Sequence, residues 1–271
     1  ILADDLGFSD LASYGSEIHT PSISALAEQG VSFTNYHTGA NCAPSRAMLL
    51  TGVDSHRTGV PNIPEMIPPE QATESHYSGT LAHNVVTVAT LLQDAGYHTY
   101  MAGKWHLGAE PHKLPSRRGF ERTVALMDSG ADNWEQRPYL PIYDAANWFA
   151  DGERFELPDD FYSSRFLIDK TIEFIDSNLA DGKPFFAYVP FQAVHLPVQA
   201  PQAPSPTRIL VLLNMVMEED LATEEDHRML EEEVGEEASK YGKLVSMKIP
   251  RHQVGCIGIC VLNIVCVVCS A

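Results

Sequence analysis

The stretch VVTVATLLQDAGYHTYMAGKWHLG, residues 85–108, reads as a helix followed by a strand. Val85, Val88, Leu91, Leu92 and Ala95 recur at the spacing of one helical face, and Gly96 supplies the stop. Tyr97–Ala102 then reads as the next strand, and Lys104 and His106 follow just past its end. The same alternation continues on both sides. Ile1–Ala3 reads as the end of a buried strand. Thr20-Pro21 opens a helix that runs to about Glu28, closed by Gly30. Val31–Tyr36 alternates and is β-rich, which predicts a strand. Phe166–Leu179 is a second strong helical pattern, and Phe185–Pro190 a buried strand. Residues 110–160, rich in Pro, Asp and aromatics, predict a long irregular excursion. Strands alternating with helices over residues 1–200 point to an α/β fold whose sheet is covered on both faces.

Composition limits the function classes. A chain of 271 residues, 44% hydrophobic and 20% charged, has the make-up of a soluble globular protein, with room for one large domain or two small ones. The formal charge of -18 argues against nucleic acid as a partner, because phosphate binding needs clustered Lys and Arg. The acid is uneven: residues 218–237 hold eleven of the 36 acidic side chains and one Arg. The five Cys are uneven too, Cys42 alone and Cys256, Cys260, Cys266 and Cys269 in the last sixteen residues, unlike a disulfide scaffold. The chain opens on Ile inside what reads as a strand, with no signal peptide at its start, as expected of a fragment.

The polar residues that fall at strand and helix ends carry chemistry. Asp4-Asp5 follows the first strand, where open α/β sheets place ligands, and paired carboxylates suit Ca²⁺ or Mg²⁺. In Cys42-Ala43-Pro44-Ser45-Arg46, Pro44 fits the first helical turn. Cys42 then lies at a helix N-terminus that favours anions, with Arg46 one turn on to add a fixed charge. On these residues alone, a Cys in a turn before a helix fits equally well. Lys104 and His106, two apart, share a face in extended backbone and form a candidate sulfate clamp; a surface Lys and a solvated His are the alternative. His195 lies just beyond the strand Phe185–Pro190; a lone His in such a loop is more often structural than catalytic, and a general acid is the functional alternative.

The run from Cys42 to Gly52, CAPSRAMLLTG, resembles the sulfatase signature C-x-P-S-R-x-x-x-L-T-G. Gly103-Lys104-Trp105-His106-Leu107-Gly108 resembles the G-K-W-H-L-G motif of the same family. Asp4-Asp5-Leu6-Gly7, Thr20–Ala27 and Arg118-Gly119-Phe120-Glu121 match further segments, and His195 matches a family His, with Val194 where Pro is usual. The resemblance covers residues 1–202. It is nearest the arylsulfatases, within the alkaline-phosphatase-like superfamily, and implies a sandwich with a central, mostly parallel sheet flanked by helices. It also implies a sulfuric ester hydrolase in which a formylglycine-generating enzyme converts Cys42 to formylglycine. The hydrated aldehyde then attacks sulfur, the alcohol leaves, and sulfate is expelled. Carried over by residue, Asp4, Asp5 and Cys42 would ligate the divalent metal, Ca²⁺ usually and Mg²⁺ as the alternative. Arg46 would hold the formylglycine, His106 its hydroxyl, and Lys104 and His195 the sulfate. A phosphonate or phosphodiester hydrolase of the same superfamily, and a non-catalytic truncated product, remain the competing readings.

The chain departs from the family after residue 202. The second acidic pair, Asp-Asn before Gly, is missing; Asp132-Asn133-Trp134 is the only Asp-Asn and lies in another region. Residues 203–271 resemble no part of a sulfatase and read as an unrelated or aberrant acidic and Cys-rich apolar tail. With half the metal ligands absent and the fold incomplete on its C-terminal side, the expectation is a chain inactive or weakly active by itself. Val254–Ala271 is at the lower edge of a membrane-spanning length, but Asn263, two Gly and many β-branched residues argue against membrane contact. The tail Cys lack polar neighbours that would support a metal site. Sulfatases are often lysosomal, secreted or periplasmic, and these residues leave the compartment open.

Overall fold

The computed structural model describes residues 1–201, 207–213, 228, 243–248 and 264–270. Pro at the first helical position starts α1 (Pro21–Gln29), and Gly30 closes it, as the sequence predicts. Helix α2 (Cys42–Thr51) begins at Cys42 itself and ends on Gly52, which adopts the left-handed conformation that glycine accepts at a C-cap. Helix α3 (Val88–Asp94) starts a few residues later than the apolar spacing suggests. Thr87 is its N-cap, its hydroxyl accepting from the Thr90 N–H. Strand β1 (His98–Lys104) follows, then β2 (Arg122–Leu126), β3 (Trp148–Ala150), β4 (Glu153–Arg154), α4 (Ser163–Asn178) and β5 (Phe185–Tyr188).

The five strands form one sheet in the order β4-β3-β2-β1-β5. The three strands β2, β1 and β5 are parallel, with Tyr100 opposite Arg122 and His98 opposite Phe185, and β3 and β4 add an antiparallel edge. Strand β1 is buried along nearly its whole length, as a central parallel strand must be when helices cover both faces. Tyr100 and Ala102 face one core with Val124, Leu126, Trp148, Leu167 and Phe174. Met101 faces the other with Ala43, Ala47, Leu50, Ala89, Trp105 and Phe120. The result is a mixed sheet between two helical layers, α2 and α3 over one face and α4 over the other.

Three expectations change. Val31–Tyr36 is not a strand: Val31 and Phe33 are 81% and 68% exposed, and no described strand lies beside them to take up backbone hydrogen bonds. Residues 110–160 are not irregular throughout, since they supply β2, β3 and β4. Strand β2 escapes a search for alternation because four of its five residues are buried, on both faces of the sheet. The strand expected at Ile1–Ala3 reduces to one parallel bridge between Leu2 and Pro190. There the Leu2 N–H donates to Val189 O at 3.0 Å and the Phe191 N–H donates to Leu2 O at 2.9 Å.

The chain divides into two units, Ile1–Ala200 and Pro201–Ala271. In the second, β6 (Thr207–Leu213), β7 (Lys243–Lys248) and β8 (Ile264–Ser270) form an antiparallel sheet in the order β6-β8-β7. The end of the apolar tail is therefore a strand, in keeping with its β-branched residues. Among the described residues no helix is long and apolar enough to cross a membrane. Apart from Arg228, the acidic run 218–237 lies outside the described residues, as do Cys256 and Cys260.

Candidate active site

The C-terminal ends of the parallel strands gather the polar residues singled out above, as open α/β sheets do. Strand β1 ends at Lys104, whose Nζ donates to Asp4 Oδ2 at 2.6 Å. Arg46, one turn into α2, reaches the same carboxylate: its Nη2 is 2.9 Å from Asp4 Oδ1 in an ion pair set off hydrogen-bond alignment. Its Nη1 donates to Lys104 O at 2.6 Å, and its Nε has no hydrogen-bond partner. Asp4, Arg46 and Lys104 are respectively 4%, 1% and 1% exposed. Cys42 stands at the start of α2 with its Sγ 3.3 Å from His106 Nδ1. Asp4, Arg46 and Lys104 thus form one group and Cys42 and His106 a second, and the charges of Lys104, Asp4 and Arg46 act on the thiol.

Two backbone features permit this. Gly103 has φ +142°, and a Cβ there would come within 1.9 Å of Pro190 O, so only glycine lets β1 close on the segment after β5. His106 has φ +57°, a left-handed conformation rare outside glycine. Lys104 and His106 therefore do not share a face of extended backbone, as their spacing suggests. The chain turns after β1 and brings the imidazole to Cys42 by a separate route.

Burial and charge oppose each other here. Burial by itself would push the Asp4 carboxyl up, but the charges of Arg46 and Lys104 outweigh it and hold Asp4 below its ordinary value. Burial raises the Cys42 thiol, only partly offset by Lys104. Burial also lowers His106 against the opposing pull of Glu65. The cluster is a neutral thiol and a neutral imidazole beside two cations that share one carboxylate.

Asp5 and His195 form a third group. Asp5 has φ +59°, so the chain bends between the two carboxylates, and the Asp5 side chain is exposed. His195 Nε2 lies 3.8 Å from Asp5 Oδ2. Its Nδ1 must carry the proton, because it donates to the carbonyl of Leu196 at 2.6 Å; Nε2 is left as the nitrogen that faces outward. The Asp4 N–H donates to Ala193 O at 3.0 Å and the Val194 N–H to Asp4 O at 2.8 Å, which ties this loop to the first group. No direct contact joins His195 to Cys42 among the described residues.

Sequence reasoning missed the residues that support these groups. Glu65, in a helical turn spanning Pro64–Met66, accepts from His106 Nε2 at 3.1 Å and from the Tyr143 hydroxyl at 3.1 Å. Neither belongs to a recognisable motif, and a Pro-Glu pair in a loop carries no signal. Asp132 and Asn133, noted only as a misplaced Asp-Asn pair, are buried anchors of the His195 loop. Asn133 Nδ2 donates to Pro197 O at 3.2 Å, and Gln199 Nε2 donates to Asp132 Oδ2 at 2.9 Å. Asp4 and Asp5 offer carboxylates to a cation, but the donor set is partial. Among the described residues no three His, Cys, Asp or Glu side chains converge as a metal site, Asp4, Asp5 and Cys42 included.

Comparison with known proteins shows what the chain is similar to. An uncharacterized sulfatase of Schizosaccharomyces pombe is 39% identical over 215 residues, covering 74% of this chain and 38% of that protein. An arylsulfatase of Klebsiella aerogenes is 39% identical over 203 residues, covering 74% of this chain and 43% of its own length. The solved structure of BT4656 in complex with its substrate D-glucosamine-2-N,6-O-disulfate superposes with a TM-score of 0.55 at 28% identity, over 72% of this chain and 34% of that one. The chain spans about two fifths of the length of the curated relatives it matches. The sulfatase family profile matches residues 1–209, more than half of the sequence, and the chain belongs to the sulfatase family.

Proposed function

We propose that this chain carries the nucleophile side of a sulfuric ester hydrolase of the arylsulfatase kind. The observation that carries the reading is the cluster around Asp4: Cys42 Sγ 3.3 Å from an imidazole, beside two buried cations that share a single carboxylate. Two cations against one carboxylate leave an excess of positive charge in a buried place. At an effective dielectric of about 20, a unit charge 4 Å away is worth about 4 kcal/mol, which offsets part of the cost of taking an oxyanion out of water. Formylglycine at Cys42, made by a formylglycine-generating enzyme, would supply the attacking hydrated aldehyde, and a divalent cation would polarise the sulfate oxygens.

Each residue then has a task of its own. Arg46 and Lys104 hold negative charge, Arg46 through donors not consumed by Asp4. His106 Nδ1 takes up a proton at the position Cys42 occupies. His195 would deliver a proton to the leaving oxygen from Nε2 when the ring carries a hydrogen on both nitrogens, the one on Nδ1 staying on Leu196 O. Asp4 and Asp5 are the carboxylates toward the cation, Ca²⁺ foremost and Mg²⁺ second, in a set that these residues do not close by themselves. The substrate is a sulfate ester, the class to which the disulfated glucosamine of the structural relative belongs.

The test is co-expression of residues 1–271 with a formylglycine-generating enzyme. Hydrolysis of a chromogenic aryl sulfate and of an aryl phosphodiester is then assayed with added Ca²⁺, beside Cys42→Ala. Aryl sulfate turnover that vanishes in Cys42→Ala supports the reading. Turnover of the phosphodiester alone, or none when peptide mass shows Cys42 converted, overturns it for this chain.

A further inference from the structure

We propose that Glu65 is the positioning residue for His106, setting its tautomer and its orientation toward Cys42, with Tyr143 holding Glu65 in turn. The proposal rests on the reading of His106 as the imidazole that serves Cys42.

The geometry forms a line. The Tyr143 hydroxyl donates to Glu65 Oε1 at 3.1 Å, Glu65 Oε2 lies 3.1 Å from His106 Nε2, and His106 Nδ1 lies 3.3 Å from Cys42 Sγ. The side chains of Glu65 and His106 are 8% and 1% exposed, so water does not replace these bonds. A carboxylate can only accept, so His106 carries its hydrogen on Nε2. The lone pair of a neutral ring is then on Nδ1, the nitrogen that faces Cys42. When Nδ1 takes a proton from a hydroxyl at that position, the O–H electron pair stays on oxygen. The resulting imidazolium then sits against a carboxylate. This is the role a buried carboxylate plays behind a catalytic imidazole in hydrolases generally. The backbone supplies a second, independent sign. Among the described residues His106 is one of three non-glycine residues at positive φ, with Asp5 and Asp151, a conformation that survives only where the surroundings hold it. Glu65 comes from the loop between α2 and α3, 41 residues from His106 in sequence, so local chain geometry does not force the contact.

The test reads the ring directly. The full chain, unconverted at Cys42 and labelled with ¹⁵N-histidine, is examined by long-range ¹H–¹⁵N correlation, and His106 is assigned by its loss in His106→Gln. The expected result is a protonated Nε2 and a bare Nδ1. Glu65→Met, which keeps length and removes the acceptor, is expected to abolish that preference. Glu65→Gln, which keeps an acceptor oxygen, is expected to retain it. A proton on Nδ1 in the unaltered chain overturns the proposal whatever the variants do, as does a folded Glu65→Met with an unchanged spectrum. If Glu65→Met does not fold, Tyr143→Phe replaces it and is expected to weaken the preference; an unchanged spectrum there counts against the relay.

On converted protein, Glu65→Met is expected to lower kcat for an aryl sulfate by about 10²–10⁴ with little change in KM. Turnover indifferent to Glu65 sinks the relay. A tautomer that responds to Glu65 in a chain with no sulfatase turnover leaves the relay standing and removes the hydrolase reading instead.

Discussion

At the ends of the parallel strands Asp4, Arg46, Lys104 and His106 are almost wholly buried, whereas on α1 and the 31–36 segment Leu26, Val31, Phe33 and Tyr36 stand open to solvent. That is the reverse of what side-chain polarity alone would arrange. The difference teaches that burial follows the supply of partners. Each buried polar group meets a partner from within residues 1–200: Asp4 has two cations, Arg46 has Lys104 O, and the neutral His106 ring has Glu65. The apolar side chains line an open groove with Leu11 and Ile23, and no described element packs over them.

The strongest way to break this comparison is to remove a partner on the buried side. Asp4→Ala deletes the one carboxylate that faces both Arg46 and Lys104. Unfolding in urea is expected to show a loss of about 3–5 kcal/mol, because a charge buried without its partner retains its desolvation penalty. A loss below about 1 kcal/mol would mean that water reaches Arg46 and Lys104, and the contrast with the open face would disappear.

A smaller effect is expected at the opposite end of the same strand, where charge is paired but shallow. His98 Nδ1 is 2.7 Å from Glu121 and Nε2 is 2.8 Å from Asp181. The hydrogen bond to Glu121, then that to Asp181, raise His98 above its ordinary value. The Lys183 N–H, then His98, draw Asp181 down to about 2. A raised His stabilises the fold fully below its unfolded value of about 6.5 and loses that contribution as pH rises through the folded value. A lowered Asp contributes above its unfolded value of about 3.9 and loses that contribution as pH falls toward the folded one. The Tm difference between the unaltered chain and His98→Ala should therefore be greatest between about pH 4 and 6.5 and fade above that window. A difference that widens toward alkaline pH would contradict the assignment.

The least effect is expected on the open face. Phe33→Ser should change unfolding free energy by no more than about 0.5 kcal/mol, as exposed substitutions do, while lowering self-association seen by light scattering. A loss above about 2 kcal/mol would show that the phenyl ring is covered in solution, and the two regions would differ less than their exposures indicate.

Much of the site was legible because its residues sit in contiguous motifs. Cys42 through Arg46 encode a helix start, with Pro44 in the first turn, and that alone places thiol and guanidinium together. The αβ unit from Val85 onward was readable for the same reason, since helical spacing and Gly96 are local signals. Val31–Tyr36 misled because alternation reports a pattern of side chains, whereas a strand needs a neighbour for its hydrogen bonds. The strands β2 to β4 were hidden because short runs within a Pro- and Asp-rich segment, buried on both faces in β2, show no alternation.

By itself, then, the sequence determined the α/β class, the family, and the identities of Asp4, Asp5, Cys42, Arg46, Lys104, His106 and His195 as the polar residues at element ends. Tertiary structure alone decided how they meet. It set Asp4 between two cations, turned His106 into left-handed backbone to reach Cys42, and brought Glu65 and Tyr143 behind the ring. It also made Asp132 and Asn133 into anchors of the His195 loop. These pairings join residues tens of positions apart, and a hydrogen bond between them exists only once packing has excluded water and fixed both ends.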